Sequence, residues 1–240
     1  MFSIDQFRGA TLPEKVLSFT FDDGPGRTRG NRPGPKTVKL AEYLHEQGVF
    51  ATFFMVGKLV AQDPYILSEV SALGHIIGNH TYHHSRPLPE LLKAGEDIVS
   101  EIERTNELIE KFNANNTIYF RAPWGEWSAD VAVELNDKLN GHLNHVGPFY
   151  WDIDSRDWAY WRDGQSAEKC ADECLAQIGK EGRGIVLMHD SSADLMHARI
   201  NNLTFETIKI LVPQLKAMGY SFVRLDEIPI PTQNLTTDRL

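Results

Sequence analysis

Cysteine is scarce in this sequence: only two of its 240 residues are cysteines, and no Cys-x-x-Cys pair occurs. Two cysteines cannot hold a disulfide-rich scaffold together, and the missing spacing excludes a zinc site built from cysteines. Long apolar runs are absent too, since no stretch approaches the roughly 18 apolar residues of a membrane-spanning helix. These absences indicate an ordinary globular protein, and the length allows one domain or at most two small ones.

Basic residues are outnumbered by acidic ones, at 24 Lys and Arg against 33 Asp and Glu, which gives a formal net charge of −9. Because a nucleic-acid binder needs a basic surface to neutralise phosphates, we expect no nucleic acid among the partners. Residues 1–15 also lack the apolar segment of a signal peptide. The sequence leaves open whether the protein is cytoplasmic or a leader peptide has been removed.

Histidine and tryptophan, by contrast, are concentrated in short parts of the chain. Four of the nine histidines lie within ten residues, from His75 to His84, and all five tryptophans lie between Trp124 and Trp161. Imidazoles ligate metals and transfer protons, and exposed indoles offer flat faces on which sugar rings can stack. Both clusters are therefore candidates for a functional site.

Predicted strands and helices alternate along the sequence. Strands are predicted at 16–21, 50–56, 75–80, 117–120, within 145–153, at 184–189 and at 220–225. Helices are predicted at 36–47, 63–73, 89–112, 128–139, 166–178 and 205–218. This alternation is typical of an α/β fold with a mostly parallel sheet.

Polar residues at the ends of several predicted strands favour an incomplete barrel over an open sheet. Asp22 and Asp23 follow the first strand, and His80 follows the third. Arg121 follows the fourth strand, and His189 ends the sixth. Functional groups drawn from the carboxyl ends of many strands are typical of a barrel, whereas an open sheet collects them at one switch point.

The spacing His80-x-x-x-His84 suggests a metal site. On one helical turn the two imidazoles would face the same way, although two ordinary surface or core histidines would fit as well. One acid of the Asp22-Asp23 pair could supply a third ligand, which leaves a coordination position for water and the other acid as a base. The same donors suit a non-haem iron oxygenase, but the alternation of strands and helices disfavours that class.

Five segments, in this order, resemble the motifs of the NodB-homology polysaccharide deacetylases, carbohydrate esterase family 4. They are Thr20–Gly24 (TFDDG), His80–His84 (HTYHH), Arg121–Gly125 (RAPWG), Asp154–Trp158 (DSRDW) and Leu187–His189 (LMH). Any one of them could arise by chance, but five in order over one domain form a specific match.

The resemblance implies a single α/β domain folded as a distorted (β/α)7 barrel. It covers residues 16–228, which leaves 1–15 as an N-terminal extension and 229–240 as a C-terminal tail. The implied activity is metal-dependent removal of acetyl groups from a polysaccharide that contains N-acetylglucosamine. We expect chitin or chito-oligosaccharides first, peptidoglycan second and acetylxylan third. A monomer is expected, and the substrate class favours a secreted or periplasmic location.

The resemblance also assigns the metal site and the base. Asp23, His80 and His84 are similar to the family's ligands, which hold one divalent ion, usually Zn²⁺ and alternatively Co²⁺ or Ni²⁺. Asp22 corresponds to the general base that deprotonates water, and Arg121 to the residue that holds this base in place.

The remaining roles concern the leaving group and the walls of the pocket. His189 corresponds to the general acid that protonates the leaving amine, and Asp157 to the carboxylate that orients it. Trp158 and Leu187 correspond to walls of the acetyl pocket, and the backbone N–H of Trp124 to an oxyanion donor.

Some features depart from the family pattern or leave rivals open. Ser85 stands where proline is usual, Trp124 stands where tyrosine is common, and the arginine-rich loop Gly26–Pro35 is longer than usual. A glycan-binding protein without activity and a hydrolase of small cyclic imides are the rival hypotheses. The retained motif residues disfavour a glycan-binding protein without activity. The tryptophan cluster favours a saccharide substrate over a small imide.

Overall fold

Eight short parallel strands lie at the centre of the part of the chain that the computed structural model describes, which comprises residues 1–26, 37–139, 141, 143–192 and 202–230. The rest of the arginine-rich loop after Gly26 and the tail from residue 231 lie outside the described residues. The strands are β1 (Val16–Gly24), β2 (Thr52–Met55), β3 (Ile76–Asn79), β4 (Thr117–Tyr119), β5 (Asn144–Val146), β6 (Ile153–Asp154), β7 (Gly184–His189) and β8 (Ser221–Phe222).

The strands form a distorted ring. One sheet has the order β3-β2-β1-β7-β6, and β8 pairs with the beginning of β1. A second sheet pairs β4 with β5, and a parallel bridge between Asn79 and Phe120 joins it to the end of β3. Among the described residues, β5 and β6 are not paired, so a seam separates them. The predicted α/β class and distorted (β/α)7 barrel in a single domain are confirmed.

Helices pack around this ring. They are α1 (Thr37–Glu46), α2 (Gly57–Val60), α3 (Tyr65–Ala72), α4 (Leu88–Lys93), α5 (Ile98–Ile109), α6 (Ala129–Lys138), α7 (Asp157–Arg162), α8 (Ala167–Glu181) and α9 (Thr204–Ala217). Ser128 caps α6, as predicted, because its hydroxyl accepts the N–H of Val131 at 3.3 Å. No helix in the described ranges is long and apolar enough to cross a membrane.

Two predicted elements are divided in the structure. The helix predicted at 89–112 breaks into α4 and α5, because Gly95 adopts a φ of +74° and Asp97 then caps a new helix. The segment predicted to contain one strand within 145–153 holds β5 and β6. Gly147 lies between them with a φ of +140°, and Pro148 has no N–H for a strand ladder.

The main core lies between the strands and the helices. The rings of Phe21 and Phe53, on neighbouring strands, stack with their centroids 5.0 Å apart, and both side chains are fully buried. Burying one such side chain stabilises the fold by about 1.5–3 kcal/mol. The core therefore fixes the strands, and their carboxyl ends are held on a rigid support.

The N-terminal residues pack against the barrel. The ring of Phe2 stacks on His145, with 4.7 Å between centroids, and also contacts Phe120 and Trp127. Phe7 forms a parallel bridge with Phe149, in the segment that connects β5 to β6. The chain before β1 thus lies along the seam of the ring.

Candidate active site

A cleft of about 610 Å³ opens at the carboxyl ends of the strands. Eight of the ten residues predicted for the site line it: Asp22, Asp23, His80, His84, Trp124, Trp158, Leu187 and His189. The other two, Arg121 and Asp157, are fully buried and bond directly to Asp22 and His189, respectively. The structure thus brings all ten predicted residues together.

Asp23, His80 and His84 bring three candidate metal-donor atoms together. Their donor atoms all lie within 4.8 Å of one another. Asp23 Oδ1 is 3.3 Å from His84 Nε2 and 3.7 Å from His80 Nε2. Ligands about 2.0–2.1 Å from a tetrahedral ion lie roughly 3.3–3.4 Å apart, so this buried donor set fits a single divalent cation.

The local structure that joins the two histidines differs from the prediction. The expectation that His80 and His84 share a helical turn is wrong, because the segment after β3 is a loop. Thr81 and His84 adopt left-handed φ values of 65° and 50°, which fold the chain back on itself. The Thr81 N–H donates to Asn79 Oδ1 at 2.8 Å, and this bond supports the fold-back. The imidazoles converge through a loop, with ring centroids 4.9 Å apart.

Two hydrogen-bonding contacts of Glu101 hold this loop against α5. Glu101 Oε2 accepts the backbone N–H of His83 at 2.8 Å, and Glu101 Oε1 lies 2.5 Å from His83 Nδ1. His83 stands between the two candidate ligands, so Glu101 restrains the loop without contacting either of them through these bonds. No sequence pattern identifies Glu101 as the partner of His83.

The orientation of His80 is set by its second nitrogen. Its Nδ1 lies 2.8 Å from the carbonyl oxygen of Arg121, which can only accept, so Nδ1 carries the proton and Nε2 faces Asp23. Burial lowers the pKa of His80 to about 3, and repulsion from His84 is the second largest cause. The ring is therefore neutral, as a ligand must be.

Asp22 lies beside the donor set and is fixed by Arg121. The Nη1 of Arg121 donates to Asp22 Oδ1 at 2.8 Å and to the hydroxyl of Thr20 at 2.7 Å. Its remaining nitrogens donate to the carbonyl oxygens of Phe149 and Tyr150, each at 3.2 Å. Burial lowers the pKa of Arg121, and Asp22 opposes that change. Asp22 Oδ2 faces His80, with 3.5 Å to its Nε2.

His189 and Asp157 form a second polar pair in the cleft. His189 Nδ1 lies 2.8 Å from Asp157 Oδ1, and the backbone N–H of His189 donates to Asp157 Oδ2 at 2.8 Å. The hydroxyl of Thr204 also donates to Asp157 Oδ2, at 2.9 Å. Burial acts to lower the pKa of His189, but the carboxylates of Asp157, Asp23 and Asp22 together raise it to about 10. His189 therefore holds a proton near neutral pH.

The tryptophan cluster divides between the cleft and the core. Trp124, Trp151 and Trp158 line the cleft, and the Trp124 ring lies over His84 with 4.2 Å between centroids. Trp161 is buried, and Trp127 packs on the core ring of Phe120. The exposed fraction of Trp124 is 45%, so a flat apolar face is open to a ligand beside the donor set.

Some residues of the site are absent from the sequence-based prediction. Thr204 supports Asp157 from a distance of 47 positions, and no local pattern points to it. Asp190 is buried directly after His189, where it accepts a hydrogen bond from the Thr37 hydroxyl, and burial raises its pKa to about 7. The sequence signal for Asp190 is a carboxylate directly after a histidine that ends a strand.

Comparison with known proteins gives consistent results. Residues 9–140 match the sequence family described as polysaccharide deacetylase. The chain is 31% identical over 227 residues to a chitooligosaccharide deacetylase from Rhizobium leguminosarum bv. trifolii. This alignment covers 92% of this chain and 95% of the relative. It is also 31% identical over 215 residues to a peptidoglycan-N-acetylglucosamine deacetylase from Bacillus cereus. That alignment covers 90% of this chain and 88% of the relative.

A solved structure shares the fold. The crystal structure of the Bc1960 peptidoglycan N-acetylglucosamine deacetylase superposes with a TM-score of 0.68 and 25% sequence identity. The match covers 92% of this chain and 91% of that one, so the similarity extends over the whole barrel.

Proposed function

The chain belongs to the polysaccharide deacetylases, carbohydrate esterase family 4, and on this basis we propose that it removes N-acetyl groups from chitin or chito-oligosaccharides with the help of one divalent cation. Membership makes the protein a hydrolase that acts on amide bonds and supports a glycan containing N-acetylglucosamine as substrate. The choice of chitin over peptidoglycan and the dependence on metal are the proposed parts.

One observation supports the proposal most strongly. The cleft combines a buried Asp23–His80–His84 donor set, a carboxylate fixed beside it and a protonated histidine. Amide hydrolysis needs an activated water, a stabilised oxyanion and a proton for the amine that leaves. These groups can meet all three needs within one cleft.

Asp23, His80 and His84 would hold the cation. When bound, a divalent cation would acidify a water molecule and polarise the acetyl carbonyl. Two imidazoles and one carboxylate suit Zn²⁺, and Co²⁺ or Ni²⁺ also accept such donors. The neutral Nε2 of His80 already faces the position between the donors.

Asp22 would take the proton from the attacking water. Its Oδ1 is occupied by Arg121, so Oδ2 is the oxygen that faces the donor set. As the water oxygen bonds to the acetyl carbon, charge develops on the carbonyl oxygen. The backbone N–H of Trp124 would donate to that oxygen.

His189 would supply the proton to the leaving nitrogen. Its Nδ1 is engaged by Asp157, so Nε2 is the nitrogen available for the transfer. The bond between carbon and nitrogen then breaks, and acetate and a free amine result. Trp158 and Leu187 would enclose the acetyl methyl group, because both line the cleft.

The substrate preference rests on the indoles and on the relatives. The exposed Trp124 would stack on a sugar ring, and Trp151 and Trp158 would add apolar contacts beside it. Curated relatives include both chitooligosaccharide and peptidoglycan deacetylases, so the two glycans are the main competitors. An acetate-release assay should compare chitin oligomers, peptidoglycan fragments and acetylxylan. Fastest release from chitin oligomers is expected, and faster release from peptidoglycan would overturn the choice of polymer.

A further inference from the structure

The N-terminal segment Gln6–Gly9 bridges the seam of the barrel next to the cleft. The backbone N–H of Phe7 donates to the Pro148 carbonyl at 2.8 Å, and the N–H of Tyr150 donates to the Phe7 carbonyl at 2.7 Å. Gly9 N–H donates to the Asp152 carboxylate at 2.8 Å. The segment is therefore attached along the whole connection between β5 and β6, which carries Tyr150 and Trp151.

Two side chains of this segment reach the walls of the cleft. Gln6 Nε2 donates to the carbonyl of Gly125 at 3.0 Å, at the turn that carries Trp124. Arg8 Nη1 donates to the carbonyl of Trp151 at 2.6 Å. Both residues precede the family match, which begins at residue 9.

Arg8 also supports the ring of Trp151 through an aromatic stack. The Arg8 guanidinium carbon lies 4.2 Å from the centre of the Tyr150 ring. The Tyr150 and Trp151 rings are 3.9 Å apart and nearly parallel, at 12°. A guanidinium and an indole cannot occupy the same face of Tyr150 at these distances. Arg8, Tyr150 and Trp151 therefore form three layers, and the third layer lines the cleft.

Gly125 joins this stack to the wall on the other side. Gly125 has a φ of +70°, and a Cβ at this position would come within 2.5 Å of the Tyr150 ring and 2.6 Å of the Trp151 ring. The two rings thus pack directly on the backbone of the Trp124–Gly125 turn. The position of Trp151 depends on this turn and on the N-terminal segment together.

We propose that Arg8 is a positioning residue for glycan specificity: through Tyr150 it fixes Trp151, whose indole lines the cleft, as part of the wall that a sugar ring of an oligosaccharide contacts. This inference rests on the proposed function and adds to it that the enzyme recognises an oligosaccharide through a wall built partly by its N-terminal segment. Arg8 takes no part in the reaction, so its loss weakens binding of a long substrate and leaves the chemical step intact.

The experiment compares Arg8→Ala with Arg8→Lys and with Arg183→Ala as a matched control. Arg183 also holds the N-terminal region, because its Nη1 donates to the Leu12 carbonyl at 2.8 Å, but it does not line the cleft. Each variant is assayed with the N-acetylglucosamine tetramer and with a small aryl acetate. Thermal unfolding is recorded in parallel.

Loss of one cation–π contact and one hydrogen bond should raise KM for the tetramer about five- to tenfold in Arg8→Ala. We expect kcat within about twofold of the wild type, since only binding is changed. KM for the aryl acetate should stay constant, Arg8→Lys should recover part of the loss, and Arg183→Ala should match the wild type.

A folded Arg8→Ala protein with unchanged KM for the tetramer would overturn the inference, and so would equal losses on both substrates. If Arg8→Ala does not fold, Tyr150→Leu removes the middle layer, and the same rise in KM is expected from it. Unchanged KM in Tyr150→Leu would then overturn the inference. A wild-type protein that releases acetate from no glycan contradicts the proposed function itself, and the inference with it.

Discussion

Arg121 donates from Nη1 to Asp22 Oδ1 at 2.8 Å, and its side chain is completely buried. Because three further hydrogen bonds to Thr20, Phe149 and Tyr150 fix the guanidinium, Asp22 is held with its second oxygen toward the candidate metal ligands. A buried ion pair of this kind contributes orientation, since the cost of desolvation cancels much of its attraction.

The first prediction concerns this pair. Arg121→Lys keeps the charge but loses the planar fork and most of its bonds. We expect the free energy of unfolding to fall by about 2–4 kcal/mol, from the loss of two or more hydrogen bonds to a charged group. Urea denaturation measures the change. If the free energy of unfolding falls by less than about 0.5 kcal/mol, the range typical of surface substitutions, the hydrogen bonds of the Arg121 guanidinium do not hold the strand ends together.

The second prediction follows from the pKa of His189. This pKa is raised from 6.5 to about 10 in the folded protein, so the pair with Asp157 stabilises the fold fully below pH 6.5 and loses this effect as the pH rises to 10. The wild-type free energy of unfolding should therefore decline over this interval, by at most about 1.4 kcal/mol per pH unit.

His189→Gln removes the titrating group and should remove this part of the slope. The measurement is chemical denaturation with chelator present, so that no cation affects either protein. Parallel slopes in the two proteins between pH 6.5 and 10 would contradict the assignment.

The third prediction concerns the loss of fold stability in acid. It involves His75, which does not line the cleft. His75 Nδ1 accepts the N–H of Ala51 at 3.0 Å, and Nε2 donates to the carbonyl of Ala41 at 2.9 Å. Burial lowers its pKa from 6.5 to about 4. Between pH 6.5 and 4, His75 is protonated in the unfolded chain but stays neutral in the folded protein. The free energy of unfolding therefore falls as the pH decreases over this interval.

His75→Gln should show a smaller loss of stability over the same interval, although it is less stable than the wild type near neutral pH. Denaturation curves at several pH values, again with chelator, measure the difference. The remaining histidines are shared by both proteins, so identical slopes would rule out His75 as a source of acid sensitivity.

The fourth prediction tests the support of the ligand loop. Glu101 holds the backbone N–H and the imidazole of His83, between the two candidate ligands. Removal of such supporting groups typically weakens metal binding about 10- to 100-fold, and we expect the lower part of this range for Glu101→Ala. Calorimetric titration of the metal-free protein with Zn²⁺ measures the dissociation constant. Glu103→Ala, an exposed position on the same helix, is the control and should bind like the wild type.

Much of the fold could be predicted because the buried strands are short and apolar and the helices have distinct ends. β7 matches its predicted bounds at both ends, and Ser128 caps α6 as predicted. The divided helix could not be foreseen from apolar spacing alone, since Leu92 and Ile98 continue the pattern across the break. Only the backbone conformation of Gly95 and the cap formed by Asp97 show where the helix stops.

The candidate site shows the same limit. The motifs predict which residues meet, but periodicity places His80 and His84 on a helical turn, while left-handed residues in a loop bring them together. Thr204 and the Arg8–Tyr150–Trp151 stack depend on contacts between distant parts of the chain, and no local pattern encodes them.

The proposed function requires that Asp23, His80 and His84 bind a cation that this protein needs to deacetylate a glycan, with Asp22 as the base. The most direct test measures acetate and free amine released from N-acetylglucosamine oligomers by the wild type with Zn²⁺, after chelation, after Zn²⁺ is restored, and by Asp22→Asn with Zn²⁺. We predict equal amounts of both products, loss of activity on chelation, its return with Zn²⁺, and a rate at least about 100-fold lower for Asp22→Asn. Undiminished release after chelation would rule out the need for a cation, and undiminished release from Asp22→Asn would rule out Asp22 as the base.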